Sequence, residues 1–167
     1  MEIQFQIIEI AKVVYAIFLG GLIGLEREIA DKPAGLRTHM LVAGAATLLM
    51  ILGEYIVAAY GSSGFVEAIQ ADPIRIMEAI ITGISFLGAG TIIFKSGKES
   101  VEGLTTAASI LFAAAIGITV ALNQLALAMT LTVVVIIVLF GLGFLERKIE
   151  QLKQLISSRK NKNKPNE

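Results

Sequence analysis

Gly20 to Met40 reads GGLIGLEREIADKPAGLRTHM, and its reading decides the fold: an apolar run dense in glycine stops at Leu25, and six formal charges and a histidine follow within fourteen residues. Charged side chains are costly at the centre of a bilayer, so a dense mixed-sign cluster between two long apolar segments marks a loop at a membrane surface. Composition supports the same solvent. With 55% hydrophobic residues, 17% charged residues and a mean hydropathy of +0.76, the 167-residue chain has too few polar side chains to coat a water-soluble globule of its size. The expected fold is an all-α integral membrane protein. Cysteine is absent, which removes disulfides, thiolate metal sites and iron–sulfur clusters from consideration.

On the N-terminal side of the edge, Ile7 to Leu25 is long enough to cross a hydrocarbon core of about 30 Å. Glu2 precedes the run and Glu9 stands at its start, where a signal peptide would carry basic residues, so it reads as a retained first span. Gly20 and Gly24 stand four apart, the small-xxx-small spacing that lets helix backbones approach. The helix is expected to continue about two turns past Leu25, with Arg27–Asp31 and Glu28–Lys32 as i,i+4 ion pairs, until Pro33 ends it. A second span then runs from Leu36 or Arg37 to about Ala59.

Beyond a polar loop, Tyr60 to Ala71, Asp72-Pro73 opens a third span with an aspartate N-cap and a proline at the first helical position. This span reaches about Phe94, and its second half, TGISFLGAGT, is unusually small and hydroxylated for a lipid-facing helix. Gly83, Gly88 and Gly90 either pack against a neighbour or let the helix unwind at a site. After a charged loop, Lys95 to Gly103, a fourth span covers Leu104 to Leu122, Asn123-Gln124 makes a tight turn, and a fifth covers Leu125 to Leu145. Ile149, Leu152, Leu155 and Ile156 give the following segment one apolar face, that of a short amphipathic helix, and the last residues read as disordered. The organisation is therefore a transmembrane domain, residues 1–145, and a basic cytoplasmic tail, residues 146–167.

Five spans satisfy the positive-inside rule when the tail is cytoplasmic and the N-terminus outside. Arg27, Lys32, Arg37, Lys95, Lys98 and the seven basic residues of the tail then lie inside, and Lys12 and Arg75 outside. That topology sorts the remaining ionisable residues into two levels. At the outer level lie Glu9, Lys12, Glu54, Asp72, Arg75 and Glu78, either as structural pairs (Arg75 with Glu78, and Lys12 reaching outward) or as a functional polar cluster. At the inner edge lie Glu26, Arg27, Asp31, Arg37 and Thr38, together with Thr105 and Thr106 at the start of the fourth span. The Pro33-Gly35 break is expected to fold Arg37 back onto Glu26, since Arg27, its chain neighbour, points elsewhere on a helix. His39 reads as a surface residue, with no second histidine to complete a metal site; Mg²⁺ binding by the acidic edge stays open. There is no GxxxxGK[ST] loop, GxSxG elbow or HExxH helix, so no enzymatic activity, cofactor or nucleic acid is called for.

Four blocks in order, GLIGLERE, KPAGLRTHMLVAGAA, DPIRIMEAIITGISFLGAGTII and GLTTAASI, resemble the MgtC/SapB family of bacterial membrane proteins, which also includes SrpB and YhiD. The resemblance covers about residues 20–117. It implies a multi-span protein of the bacterial cytoplasmic membrane associated with adaptation to low magnesium or related stress; the leading reading is a modulator of other membrane components, a homo-oligomer through its small-residue helix faces, with other membrane proteins as further partners. The alternative is a small ion or solute transporter, linked to Mg²⁺ or protons. Family motif positions fall on Gly24, Glu26, Arg27, Ala34, Gly35, Leu36, Arg37 and Thr38, then on Asp72, Pro73, Arg75, Gly83, Gly88, Ala89, Gly90, Gly103, Leu104, Thr105 and Thr106. The resemblance implies a short form, without the soluble C-terminal domain that longer members carry.

Overall fold

In the computed structural model, which describes residues 2–61, 73–93, 103–141 and 143, the described residues form helices, with short turns after the first and the fourth, and contain no strand. The helices are α1 (Glu2–Ile29), α2 (Leu36–Gly61), α3 (Pro73–Ile93), α4 (Leu104–Ala121) and α5 (Leu125–Gly141). The first four are each long and apolar enough to cross a membrane. The 17 described residues of α5 span about 25 Å. The Asp72 cap, the two polar loops, the end of the fifth span and the amphipathic tail lie outside the described residues.

Glycine and alanine decide which helices meet. α4 touches α1, α2 and α3, whereas α1 and α3 do not touch each other. α4 is the central helix, with 56% of its most apolar window buried, and α3 is peripheral, with 11%. At the α2–α4 crossing, a side chain on Gly117 would run into the carbonyl oxygen of Ala43. The Thr47 hydroxyl lies 2.9 Å from the Ala43 carbonyl and 2.8 Å from that of Gly117, so it ties the two backbones together at this point. Ala43, Ala46, Ala113 and Ala114 fill the rest of the seam. Between α1 and α2, Gly20 and Gly24 serve the close packing expected of them: a Cβ on Gly24 would stand 2.7 Å from the Leu36 Cα. Large apolar side chains such as Ile3, Ile10, Leu41 and Phe86 point outward, as lipid requires.

The turn after α1 departs from expectation. The helix ends at Ile29, well before Pro33, in a motif closed by two hydrogen bonds: Asp31 N–H to the Glu28 carbonyl (3.1 Å) and Lys32 N–H to the Arg27 carbonyl (3.0 Å). Asp31 takes the left-handed conformation, φ 53°, that this motif demands and that aspartate tolerates better than most residues. Residues 31 and 32 therefore leave the helical register, and neither Arg27–Asp31 nor Glu28–Lys32 forms. Glu28 instead accepts a hydrogen bond from the Leu36 N–H (3.1 Å) and so caps α2. Gly35 leaves room for that carboxylate. The turn expected at Asn123-Gln124 is present and uses the same chemistry: Asn123 has φ 61°, with Asn123 N–H to Val120 O (2.9 Å) and Gln124 N–H to Thr119 O (3.1 Å).

Candidate functional site: a buried polar junction

Where α1, α2 and α4 meet beside the α1–α2 turn, the core contains side chains that an apolar core would exclude. Glu26 is 7% exposed, Arg27 4%, Thr106 2%, Ser109 3% and His39 fully buried. Such groups persist in a low-dielectric interior only when paired or hydrogen-bonded. Arg27 reaches from α1 to α4, where Nη2 donates to Thr106 Oγ1 (3.2 Å), and its Nη1 lies 3.7 Å from Glu26 Oε2. The latter separation gives charge attraction without a hydrogen bond. Glu26 Oε2 and Arg27 Nε carry no hydrogen bond from the described residues.

His39 joins the third helix to this junction. Its Nδ1 lies 2.9 Å from the Gly35 carbonyl, which accepts only, so Nδ1 carries the proton. In the neutral ring, Nε2 then accepts from the Ser109 hydroxyl at 3.0 Å. Ser109 Oγ is also 2.9 Å from the Thr106 carbonyl, and its one proton serves either acceptor. The result is a continuous polar chain, Glu26, Arg27, Thr106, Ser109, His39 and Gly35, that stitches three helices together.

Among the inner-edge residues named from the sequence, Glu26, Arg27 and Thr106 are thus brought together. Asp31, Arg37 and Thr105 are exposed and Thr38 is half-buried, so they do not enter the junction. The expected Glu26–Arg37 pair is replaced by Glu26–Arg27. Although these two are chain neighbours, a long guanidinium can double back over one residue, and Arg37, on the first turn of α2, turns away from the core. His39 is corrected from a surface residue to a core residue, and Ser109 and Thr47 were missed. The available signal was spacing: His39 shares a helical face with Ala43, Ala46 and Met50, all buried.

Among the described residues, which leave out Asp72, the outer-level charges do not form one cluster. Lys12, expected to reach outward, pairs with Glu9 (3.1 Å), and its Nζ also lies 3.5 Å from the Ala121 carbonyl at the end of α4, where a cation is favoured. Arg75 and Glu78 are exposed on α3 and, among the described residues, no ion pair joins them. Glu54 is half-buried on α2. Of the α3 glycines, Gly88 packs on Ala107, with 3.3 Å from a built Cβ to the Ala107 Cβ, whereas Gly83 and Gly90 have nothing within 4 Å. Among the described residues no group of three or more His, Cys, Asp or Glu side chains is placed to hold a metal ion.

Long apolar helices around one buried polar chain define a multi-span α-helical membrane protein, and comparison with known proteins narrows the class. The family model described as "MgtC family" matches residues 13–148, and the chain belongs to that family. It is 37% identical over 111 residues to the Escherichia coli K12 protein described as "Putative magnesium transporter YhiD", covering 66% of this chain and 49% of that one. It is 42% identical over 103 residues to Bacillus subtilis "Protein SapB" (62% and 43% covered) and 45% identical over 104 residues to Brucella abortus "Protein MgtC" (62% and 38% covered). The match spans less than half the length of each of these relatives. No solved structure gives a significant match.

Proposed function

We propose that this protein is a non-catalytic member of the MgtC family that modulates other membrane components under magnesium limitation or related stress. The observation that carries this reading is where the buried ionisable residues Glu26, Arg27 and His39 go. Arg27 and Glu26 engage each other and Thr106, and His39 spends both ring nitrogens on Gly35 and Ser109. Groups committed to holding α1, α2 and α4 together make a rigid platform, whereas a transport path needs side chains free to exchange partners. The rival reading, a small Mg²⁺- or proton-linked transporter, draws support from the description of the Escherichia coli relative as a putative magnesium transporter.

Purified protein in liposomes separates the two. The modulator reading expects no flux of Mg²⁺ or protons above empty vesicles, together with restored growth in low magnesium when the gene is returned to a deletion strain. Robust uptake in the vesicles overturns it.

The same proposal places the protein in the bacterial cytoplasmic membrane, with the α1–α2 turn and the tail in the cytoplasm. Twelve of the fourteen basic residues fall on that side. A cysteine introduced at Glu2 is expected to react with an impermeant reagent in intact cells and one at Asn161 to resist it; the reverse pattern inverts the topology.

A further inference from the structure

The outward surface of α3 is divided between large apolar side chains and a stripe of charged and small ones. The core-facing side of α3 is aliphatic: Ile76, Met77, Ile80 and Ile84 pack on α2 and α4, with Gly88 against Ala107. The opposite side carries Arg75, Glu78, Thr82, Ser85 and Ala89, all five exposed, flanked by the exposed apolar side chains of Ile74, Ile81 and Phe86. Their spacing alternates three and four residues, so they form one straight stripe about 21 Å long, centred about 150° around the helix from the core-facing side. Between the stripe and the core-facing side lie Ala79, also exposed, and Gly83 and Gly90, where a Cβ would meet no other described part of the protein within 4 Å.

Hydrocarbon is a poor neighbour for the charged end of this stripe. Lipid suits the exposed Ile74, Ile81 and Phe86 that flank the stripe, whereas charged and small polar side chains on a membrane helix are given to protein. The hydroxyl of Thr82 is satisfied by its own helix, at 2.8 Å from the Glu78 carbonyl, so the stripe does not need water for that group. The charges of Arg75 and Glu78 have no such internal answer: among the described residues no ion pair forms on α3.

We infer that the outward stripe of α3 is an interface with a second copy of this chain, the two α3 helices crossing in parallel about a two-fold axis normal to the membrane. Charge complementarity selects this occupant. The stripe carries one cation and one anion three residues apart, and a two-fold axis sets Arg75 of each copy against Glu78 of the other, offset by about 4.5 Å along the helix. Two reciprocal ion pairs then form near one membrane surface. Deeper in the bilayer Thr82, Ser85 and Ala89 meet their own counterparts, and their small side chains let the backbones approach. The parallel orientation is required of two copies inserted with the same topology, and the alternating three-four spacing is that of a left-handed parallel pair.

Because the chain has no cysteine, single cysteines in the full-length protein test this in native membranes. Ser85→Cys and Ala89→Cys are near-isosteric changes. Under mild oxidation each is expected to give a disulfide-linked species of twice the chain mass, while Phe112→Cys, on an exposed face of α4, stays monomeric. Arg75→Glu in the Ser85→Cys background places four carboxylates at the interface and is expected to lower the cross-linked fraction roughly tenfold; Arg75→Glu with Glu78→Arg restores it. Folded protein that gives no cross-link at residue 85 or 89, or cross-links equally at 112, overturns the interface. A cross-linked product at the mass of this chain plus a different protein overturns the choice of a second copy.

Discussion

Gly24→Leu is expected to remove folded protein from the membrane almost completely, and Gly20→Leu to do the same. A Cβ on Gly24 would stand 2.7 Å from the Cα of Leu36 and 2.8 Å from the carbonyl oxygen of Gly35; one on Gly20 would overlap the carbonyl of His39 and lie 2.8 Å from the Ala43 Cβ. These obstacles are largely backbone, so they yield only if α1 and α2 separate. Overpacking by a single methylene in a well-packed core costs about 1–3 kcal/mol, and leucine adds a whole branched side chain at the point where the helices are closest. Separation would also pull Arg27 from Thr106 and His39 from Ser109. The α3 glycines grade the effect. Gly88→Leu meets Ala107 and is expected to lower the folded fraction in part, whereas Gly83→Ala and Gly90→Ala enter open space and should change the folded fraction little or raise it, since alanine favours a helix over glycine by up to about 1 kcal/mol. Size-exclusion profiles and thermal midpoints in mild detergent read this order; equal losses at Gly24 and Gly83 would contradict the packing account.

The second large effect is expected at Arg27. Arg27→Gln leaves the Glu26 carboxylate, 7% exposed, without its countercharge and withdraws the donor from Thr106. Breaking a buried ion pair from one side costs about 3–5 kcal/mol, a large share of the roughly 5–15 kcal/mol that separates folded from unfolded protein. Glu26→Gln strands the guanidinium less severely, because Thr106 still accepts from it. The double replacement, Glu26→Gln with Arg27→Gln, is expected to recover most of the loss, since a neutral pair carries no uncompensated charge into the core. Arg37→Gln is expected to change stability by no more than about 0.5 kcal/mol, because Arg37 is exposed. Its effect should add to that of Glu26→Gln, which a thermal-stability cycle checks directly; marked non-additivity between 26 and 37, with none between 26 and 27, would restore the pairing expected from the sequence.

The contrast between these two predictions shows where sequence reading runs out. The long apolar runs and the charged edge between Leu25 and Leu36 determined an all-α membrane protein and the borders of its second and fourth spans, and the glycine spacing at 20 and 24 offered a close helix contact without naming the partner helix. Each of these follows from composition within a single segment: hydrocarbon selects apolar length, and close backbones select glycine. Partner choice was decided only by the tertiary structure. Whether Glu26 meets Arg27 or Arg37 depends on how α1 ends, and that was set by a left-handed Asp31 two residues before the proline expected to stop the helix. Lys12 chose Glu9 and the end of α4, a carbonyl 109 residues away. His39 read as a surface residue at the inner edge, yet it begins the buried face of α2, and only the arrival of Ser109 from α4 gives its second nitrogen a partner. A polar side chain reveals its own need for hydrogen bonds in the sequence, but the group that meets that need comes from another helix, so its identity is settled only once the helices are packed.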